Sequence, residues 1–166
     1  VNPELKATFM IIPNISLNRN KMQGAVAVEM ALLLIPLIIL AAGVAEFGRA
    51  MYQYNTVTKT VRDAVRLLSQ HDAGDINYST HVAEAECLVV HGSADCSGPE
   101  LLSGLTTGMV SVATSAMTTG SGNSINLVTV TVTGYTFNFV FNPLVFFGNT
   151  DTSIPFGPIH ATMRQI

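Results

Sequence analysis

The stretch Gly24-Ala25-Val26-Ala27-Val28-Glu29 opens the most apolar part of the sequence, and a further apolar run follows it from Met30 to Ala45. From Ala25 to Phe47, the only charged residues are Glu29 and Glu46. A helix needs roughly 20 apolar residues to cross the ~30 Å hydrocarbon core of a bilayer. The stretch therefore predicts one membrane-spanning helix with a carboxylate at its mouth, where an acidic residue is unusual.

The composition agrees with a single membrane segment. Of the 166 residues, 48% are hydrophobic and only 11% are charged, which departs from the average of a soluble domain. Because the apolar excess is concentrated in one run, a membrane helix explains it better than a large core.

Charge is distributed unevenly along the chain. The formal net charge is -3, but residues 1–24 carry Lys6, Arg19 and Lys21 against Glu4, which leaves five bases and ten acids from Ala25 onward. No basic face remains to neutralise phosphates, so no nucleic-acid partner is expected. The two bases just before the apolar run predict a cytoplasmic N-terminus and an exported C-terminal part.

The helical pattern continues beyond the apolar run, so one long helix is predicted from Ala25 to Ser69. Pro36 lies inside it and predicts a loosened or kinked turn, which membrane helices tolerate. In the second half, apolar residues recur at spacings of three and four, and charged residues occupy the other side. The apolar stripe is Tyr54, Val57, Val61, Val65 and Leu68, and the charged side is Lys59, Arg62, Asp63 and Arg66.

The remaining sequence predicts one shorter helix and several strands. The helix runs from Thr80, as its N-cap, to Val90 and ends at Gly92. The fold class is therefore α+β, with the long helix laid as a spine against a small antiparallel sheet of three or four strands. The strands are predicted at Met109–Thr114, Ile125–Tyr135 and His160–Gln165, with Phe137, Phe139 and Phe141 continuing the second strand on the face toward the long helix.

Two cysteines, Cys87 and Cys96, lie in the part predicted to be exported, where an even number of cysteines usually indicates a disulfide. The alternative is a metal site, because Cys87 and His91 share one helical face and Cys96 follows. In that case His71 or His81 would supply a fourth ligand.

The sequence around the apolar run resembles a known family. Gly24 to Glu29 is similar to the prepilin-peptidase site of type IV pilin-like proteins, in which cleavage follows the glycine and the glutamate becomes the fifth residue of the mature chain. Further similarity identifies the TadE-like proteins of the tight-adherence (Flp) pilus system. It is carried by Val28-Glu29, Ala31, Pro36, Gly43, Glu46-Phe47-Gly48-Arg49 and Arg62-Asp63-Ala64-Val65-Arg66.

The resemblance implies a domain plan and a function. Residues 1–24 would be a cleaved leader, 25–47 the transmembrane half of the long helix, 48–70 its exported amphipathic half, and 71–166 an exported α/β domain. The protein would be a minor pilin (pseudopilin), anchored once in the bacterial inner membrane with a periplasmic or extracellular C-terminal domain. Implied partners are a prepilin peptidase, other pseudopilins, the major pilin, the inner-membrane pilus platform and membrane lipid.

Glu29 is the predicted assembly residue. A carboxylate at the centre of a membrane helix costs about 2.5–3.5 kcal/mol on insertion scales, so it persists where a partner compensates. Cleavage before Ala25 would create an α-amino group that Glu29 of an adjacent pilin could accept, which would fix axial register. The alternative is a carboxylate that snorkels into water at headgroup level.

Two further assembly features depend on exposure. Glu46 and Arg49 either pair along the helix or contact neighbouring subunits, and the alternative is a solvated turn where the helix leaves the membrane. Rings of the run Phe137–Phe147, if exposed, would form a docking patch for partner pilins.

Enzymatic function is not expected. The sequence has no Gly-x-Ser-x-Gly elbow, no His-Glu-x-x-His pattern and no phosphate-binding glycine loop, so no cofactor and no catalytic residue are predicted. Two other classes stay open: a secreted protein cleaved after Gly43-Val44-Ala45, and an uncleaved signal-anchor protein that carries a binding or hydrolytic domain.

Overall fold

A computed structural model describes residues 19–142, 145 and 148–166, and most of the predicted leader lies outside them. The chain forms two compact units, Val1–Ile39 and Leu40–Ile166. The described secondary structure comprises two α-helices, α1 (Arg19–Leu68) and α2 (Tyr78–His91), a short 3-10 turn (Thr107–Met109), and five strands, β1 (Val110–Thr118), β2 (Ser124–Val132), β3 (Thr136–Asn138), β4 (Ser153–Pro155) and β5 (Ile159–Arg164).

The long helix is confirmed. α1 begins at Arg19, before the predicted start, and Pro36 lies inside it. Within the described part of the chain, it is the one helix long and apolar enough to cross a membrane, and its most apolar 18-residue stretch contains no buried residue. The division at 1–24, 25–47, 48–70 and 71–166 depends on a bilayer and on cleavage, so it stays a prediction.

The second helix is confirmed with one correction at its start. Asn77, not Thr80, precedes its first turn, and Asn77 makes no side-chain cap. Thr80 lies inside α2, so the predicted N-cap was wrong. The end is as expected: Gly92 adopts φ 73° and its N–H donates to the Leu88 carbonyl, a left-handed conformation that glycine adopts without a Cβ penalty.

The strands form two antiparallel sheets. The larger has the order β1-β2-β5, and the smaller pairs β3 with β4. β2 ends at Val132, and Gly134 follows with φ 79°. The prediction that the phenylalanine run continues β2 was therefore wrong. Phe137 instead belongs to β3, in the second sheet.

The core belongs to the Leu40–Ile166 unit. It lies between the C-terminal part of α1, α2 and one face of the larger sheet. β2 alternates as predicted, and Val128, Val130 and Val132 are buried. Fully burying a valine or leucine side chain stabilises a fold by about 1.5–3 kcal/mol. The predicted stripe on α1 is confirmed at Val57, Val61, Val65 and Leu68, whereas Tyr54 is 44% exposed.

The hairpin of β1 and β2 extends beyond this core. From Ala113 to Met117, β1 is exposed on both faces apart from the ladder hydrogen bonds. A tight turn closes the hairpin, in which Thr119 N–H donates to the Asn123 carbonyl at 2.8 Å. This end of the hairpin is therefore held mainly by backbone pairing.

Gln165 ties the last strand to the end of α1. It is buried, and its Nε2 donates to the His71 carbonyl at 2.9 Å and to the Tyr78 hydroxyl oxygen at 3.2 Å. Burial raises the pKa of the Tyr78 phenol, and the hydrogen bond from Gln165 acts in the opposite direction. A hydrogen bond from Ile166 N–H to the Ser69 carbonyl, at 3.0 Å, completes the attachment.

Candidate functional site

The predicted processing and assembly residues lie along the first part of α1. Gly24, Ala25 and Glu29 are all exposed. Among the residues that the structure describes, Glu29 has neither a hydrogen bond nor an ion pair. The arrangement leaves its carboxylate accessible to a group outside this chain.

Glu46 lies in a different environment from Glu29. It is only 6% exposed. Its Oε2 accepts a hydrogen bond from Arg49 Nη1 at 2.6 Å, and its Oε1 accepts one from Phe141 N–H at 3.1 Å. The ion pair along the helix is confirmed. The alternative of a solvated turn is wrong, because the Glu46 carboxylate is buried and accepts two hydrogen bonds.

Arg49 links this pair to the second sheet. Its guanidinium carbon lies 5.3 Å from the centroid of the Phe137 ring, within the range of a cation–π interaction. Farther along the helix, the Tyr135 hydroxyl donates to Gln53 Oε1 at 3.2 Å. Burial also raises the pKa of the Tyr135 phenol. These contacts fix the β3–β4 hairpin against α1.

The burial of Glu46 was missed at the sequence level, although a signal was present. Glu46, Ala50, Gln53 and Val57 follow one another at helical spacings of four, three and four. Residues at such spacings share one helix face, so Glu46 belongs to the stripe that buries Val57. Because glutamate is rarely buried unless it is paired, its charge argued against placing it in the buried stripe.

An apolar cleft of about 250 Å³ lies beside Glu46. Phe137 is buried and Phe139 is half-buried, and their rings meet edge to face with centroids 5.3 Å apart. The phenylalanines at 146 and 147 lie outside the described residues. α1 contributes Gly43, Glu46, Phe47 and Ala50 to the cleft, and the other wall comprises Phe137, Phe139, Ile154 and Phe156.

The other helix positions that carry the family resemblance do not join this cluster. Pro36 and Gly48 are exposed, as are Arg62 and Arg66 on the side of α1 away from the core. The structure therefore brings together Gly43, Glu46, Phe47 and Arg49, and Pro36, Gly48, Arg62 and Arg66 do not belong to this group.

The predicted disulfide is confirmed. Cys87 and Cys96 are bonded, with their Cα atoms 4.8 Å apart. The metal alternative was wrong because both thiol groups are consumed. His71 and His81 instead stack with centroids 3.6 Å apart, His81 Nδ1 lies 3.0 Å from Glu84 Oε2, and His91 Nδ1 lies 3.1 Å from the Gly98 carbonyl oxygen.

The disulfide closes a loop that Asp95 organises from within. The hydroxyl groups of Ser93 and Ser97 donate to its carboxylate, and Ser97 N–H donates as well. These hydrogen bonds lower the pKa of Asp95 to about 2. Since the carboxylate is exposed, we assign it an ordering role in the loop.

Together, these features define a class: an α+β protein with a pilin-like arrangement, in which one long N-terminal helix includes a membrane-length apolar segment and also packs on a small antiparallel sheet. Residues 24–66 match the family model of the TadE-like proteins. This match confirms the resemblance and indicates a part in the tight-adherence pilus system. No curated protein and no solved structure matches the chain.

Proposed function

We propose that this chain is a minor pilin (pseudopilin) of a tight-adherence pilus, processed by a prepilin peptidase and anchored in the bacterial inner membrane by α1. The observation that carries the proposal is the family match over residues 24–66. It begins at the glycine of the proposed cleavage site and includes both the apolar segment and the charged side of the helix. Residues 1–24 would be the leader, and the sheet domain would lie outside the cytoplasm.

Processing and assembly would be coupled through Glu29. Cleavage after Gly24 releases an α-amino group on Ala25, four residues before Glu29. Because a carboxylate in hydrocarbon is costly, an ammonium from an adjacent subunit would stabilise it. The exposed position of Glu29 on α1 supports this pairing, which would set the axial register between neighbouring pilins.

The protein would act through assembly and have no reaction of its own. Its partners would be the prepilin peptidase, other pseudopilins, the major pilin, the inner-membrane platform and surrounding lipid. The five bases and ten acids from Ala25 onward do not favour nucleic acid as a partner.

The mature N-terminus tests the processing step. The full chain is produced with and without a prepilin peptidase, and the N-terminal residue is determined by mass spectrometry. We expect Ala25 with the peptidase and an intact leader without it. A mature chain that begins at Glu46 would establish ordinary secretion, and a leader that stays intact with active peptidase would establish a signal anchor.

The assembly step is tested separately through Glu29. Glu29→Ala should be processed normally but incorporated poorly into pili or pilin complexes. Val28→Ala, at the adjacent exposed position, is the matched control and should be incorporated like the unmodified chain. Normal incorporation of Glu29→Ala would remove the register function from Glu29 and leave the processing result intact.

A further inference from the structure

Within the Leu40–Ile166 unit, the chain that follows β2 runs alongside α1 toward Glu46, next to the end of the apolar run. Three contacts show the direction: Tyr135 bonds Gln53, Phe137 packs under Arg49, and Phe141 N–H bonds Glu46. As the chain advances from 135 to 141, its helix partner moves back from 53 to 46. At a rise of ~1.5 Å per residue, this descent covers about 10 Å along the helix axis. Phe141 thus lies at the level where the apolar run finishes, at Ala45.

Large apolar side chains are exposed at that level. Val44 is 66% exposed, Phe47 68%, Val140 81% and Ile154 45%. Phe47 and Ile154 line the same cleft, and Val140 directly precedes the residue that bonds Glu46. We call these four residues the exit patch. Large apolar side chains exposed at one level of α1 are typical of a surface that meets a partner or a membrane.

The exit patch carries little charge. No acidic or basic residue occurs from 134 to 142 or from 152 to 158, although the chain as a whole is acidic. Glu46, the nearest acid on the helix, is buried and paired with Arg49. An apolar surface beside the half-exposed Arg49 is suited to the boundary between headgroups and acyl chains, where the apolar faces of interfacial helices insert about 5–10 Å.

We propose that the exit patch is a second, lipid-contacting element, with which the sheet domain sits on the membrane surface beside its own anchor. The occupant is the bilayer because the patch is continuous with the helix segment that would lie in it. A bilayer that encloses α1 up to Ala45 would also meet Phe47 and Val140. This inference depends on the membrane anchoring in the proposed function, and the two are tested by different positions on the same chain.

The test uses the full chain in phospholipid nanodiscs containing phosphatidylethanolamine and phosphatidylglycerol, with one chain per disc. A single cysteine is introduced and labelled with an environment-sensitive fluorophore, while Cys87 and Cys96 stay bonded to each other. Nitroxide-labelled lipid then quenches any fluorophore in contact with the bilayer. Val44→Cys reports on the helix and Val140→Cys on the hairpin.

Ser121→Cys is the matched control on the opposite side of the domain. Ser121 lies in the β1–β2 turn, just before β2. The start of β2 lies near the C-terminal end of α1, because Gln165 N–H donates to the Asn126 carbonyl and the Gln165 side chain donates to the His71 carbonyl. We expect quenching of comparable depth at Val44→Cys and Val140→Cys, and none at Ser121→Cys.

Each other outcome overturns the proposal in a distinct way. Quenching at Val44→Cys without quenching at Val140→Cys would leave the anchor valid and remove the exit patch from the bilayer. No quenching at Val44→Cys would overturn both the anchor and the inference. Shielding of Val140→Cys that occurs only with two chains per disc, and that nitroxide-labelled lipid does not quench, would assign the patch to a second copy of this chain.

Discussion

Replacing Glu46 with alanine should loosen the β3–β4 hairpin from α1. The substitution removes the acceptor for two donors, Arg49 Nη1 and Phe141 N–H. A hydrogen bond to a charged group contributes about 1.5–3 kcal/mol. Phe141 is 40% exposed, so water can replace part of what its N–H loses. Arg49 is 42% exposed at its side chain, so water replaces part of its lost interaction. The net cost should be about 1.5–3 kcal/mol in the free energy of unfolding.

Glu46→Gln separates the two interactions. Glutamine keeps an oxygen that can accept from Phe141 N–H but loses the charge that attracts Arg49. Since a half-exposed ion pair contributes about 0–1 kcal/mol, this variant should be clearly more stable than Glu46→Ala. Arg62→Ala, on the exposed side of the same helix, should change stability by no more than about 0.5 kcal/mol.

The assay combines chemical unfolding of the full chain in detergent micelles with amide hydrogen exchange. Unfolding gives the free energy, and the exchange rate of the Phe141 amide reports on its own bond to Glu46. The reasoning would be refuted if Glu46→Ala and Glu46→Gln were equally stable and the Phe141 amide exchanged at the same rate in both variants and in the unmodified chain.

Three further predictions concern the sheet domain. Replacing both Cys87 and Cys96 with serine should cost about 2.5–3 kcal/mol, because the bridge restricts the unfolded chain; thermal unfolding with and without reductant measures this, and reductant should have no effect on the double variant. Leu68→Ala should cost about 2–5 kcal/mol from lost burial and the remaining cavity, against a negligible change for Arg62→Ala in the same denaturant titration. Burial raises the pKa of Tyr135 above its ordinary 10.0, so the contribution of the neutral phenol to stability is complete below pH 10 and falls as the pH rises through the raised value. Tyr135→Phe should therefore show a smaller loss of stability at alkaline pH, and an equal loss in both proteins would contradict this prediction.

The parts of the fold that depend on local periodicity were predictable. The stripe from Val57 to Leu68 has helical spacing, and β2 alternates with period two, so each pattern specifies both the element and its buried face. The disulfide was also predictable because an even cysteine count in an exported segment favours a bridge. Such signals are carried by residues close together in sequence.

The parts that depend on distant contacts were not predictable. Gly134 has no side chain to signal that β2 ends there and a second sheet begins. The enclosure of Glu46 requires Phe141, 95 residues later in the chain. The role of Gln165 likewise depends on the backbone carbonyl of His71. Every residue has such a carbonyl, so the residue type at position 71 does not indicate this contact. For these residues, the partner rather than the local sequence determines the environment.

The exposed end of the β1–β2 hairpin has a practical consequence. Because side chains from Ala113 to Met117 contribute little to the core, the turn from Thr119 to Asn123 can be lengthened at small cost, since each doubling of a flexible loop adds only about 0.6 kcal/mol of closure entropy. An epitope or a fluorescent-protein acceptor peptide inserted there would leave both helices and the disulfide loop untouched. The hairpin thus offers an internal labelling position for following the protein in living cells.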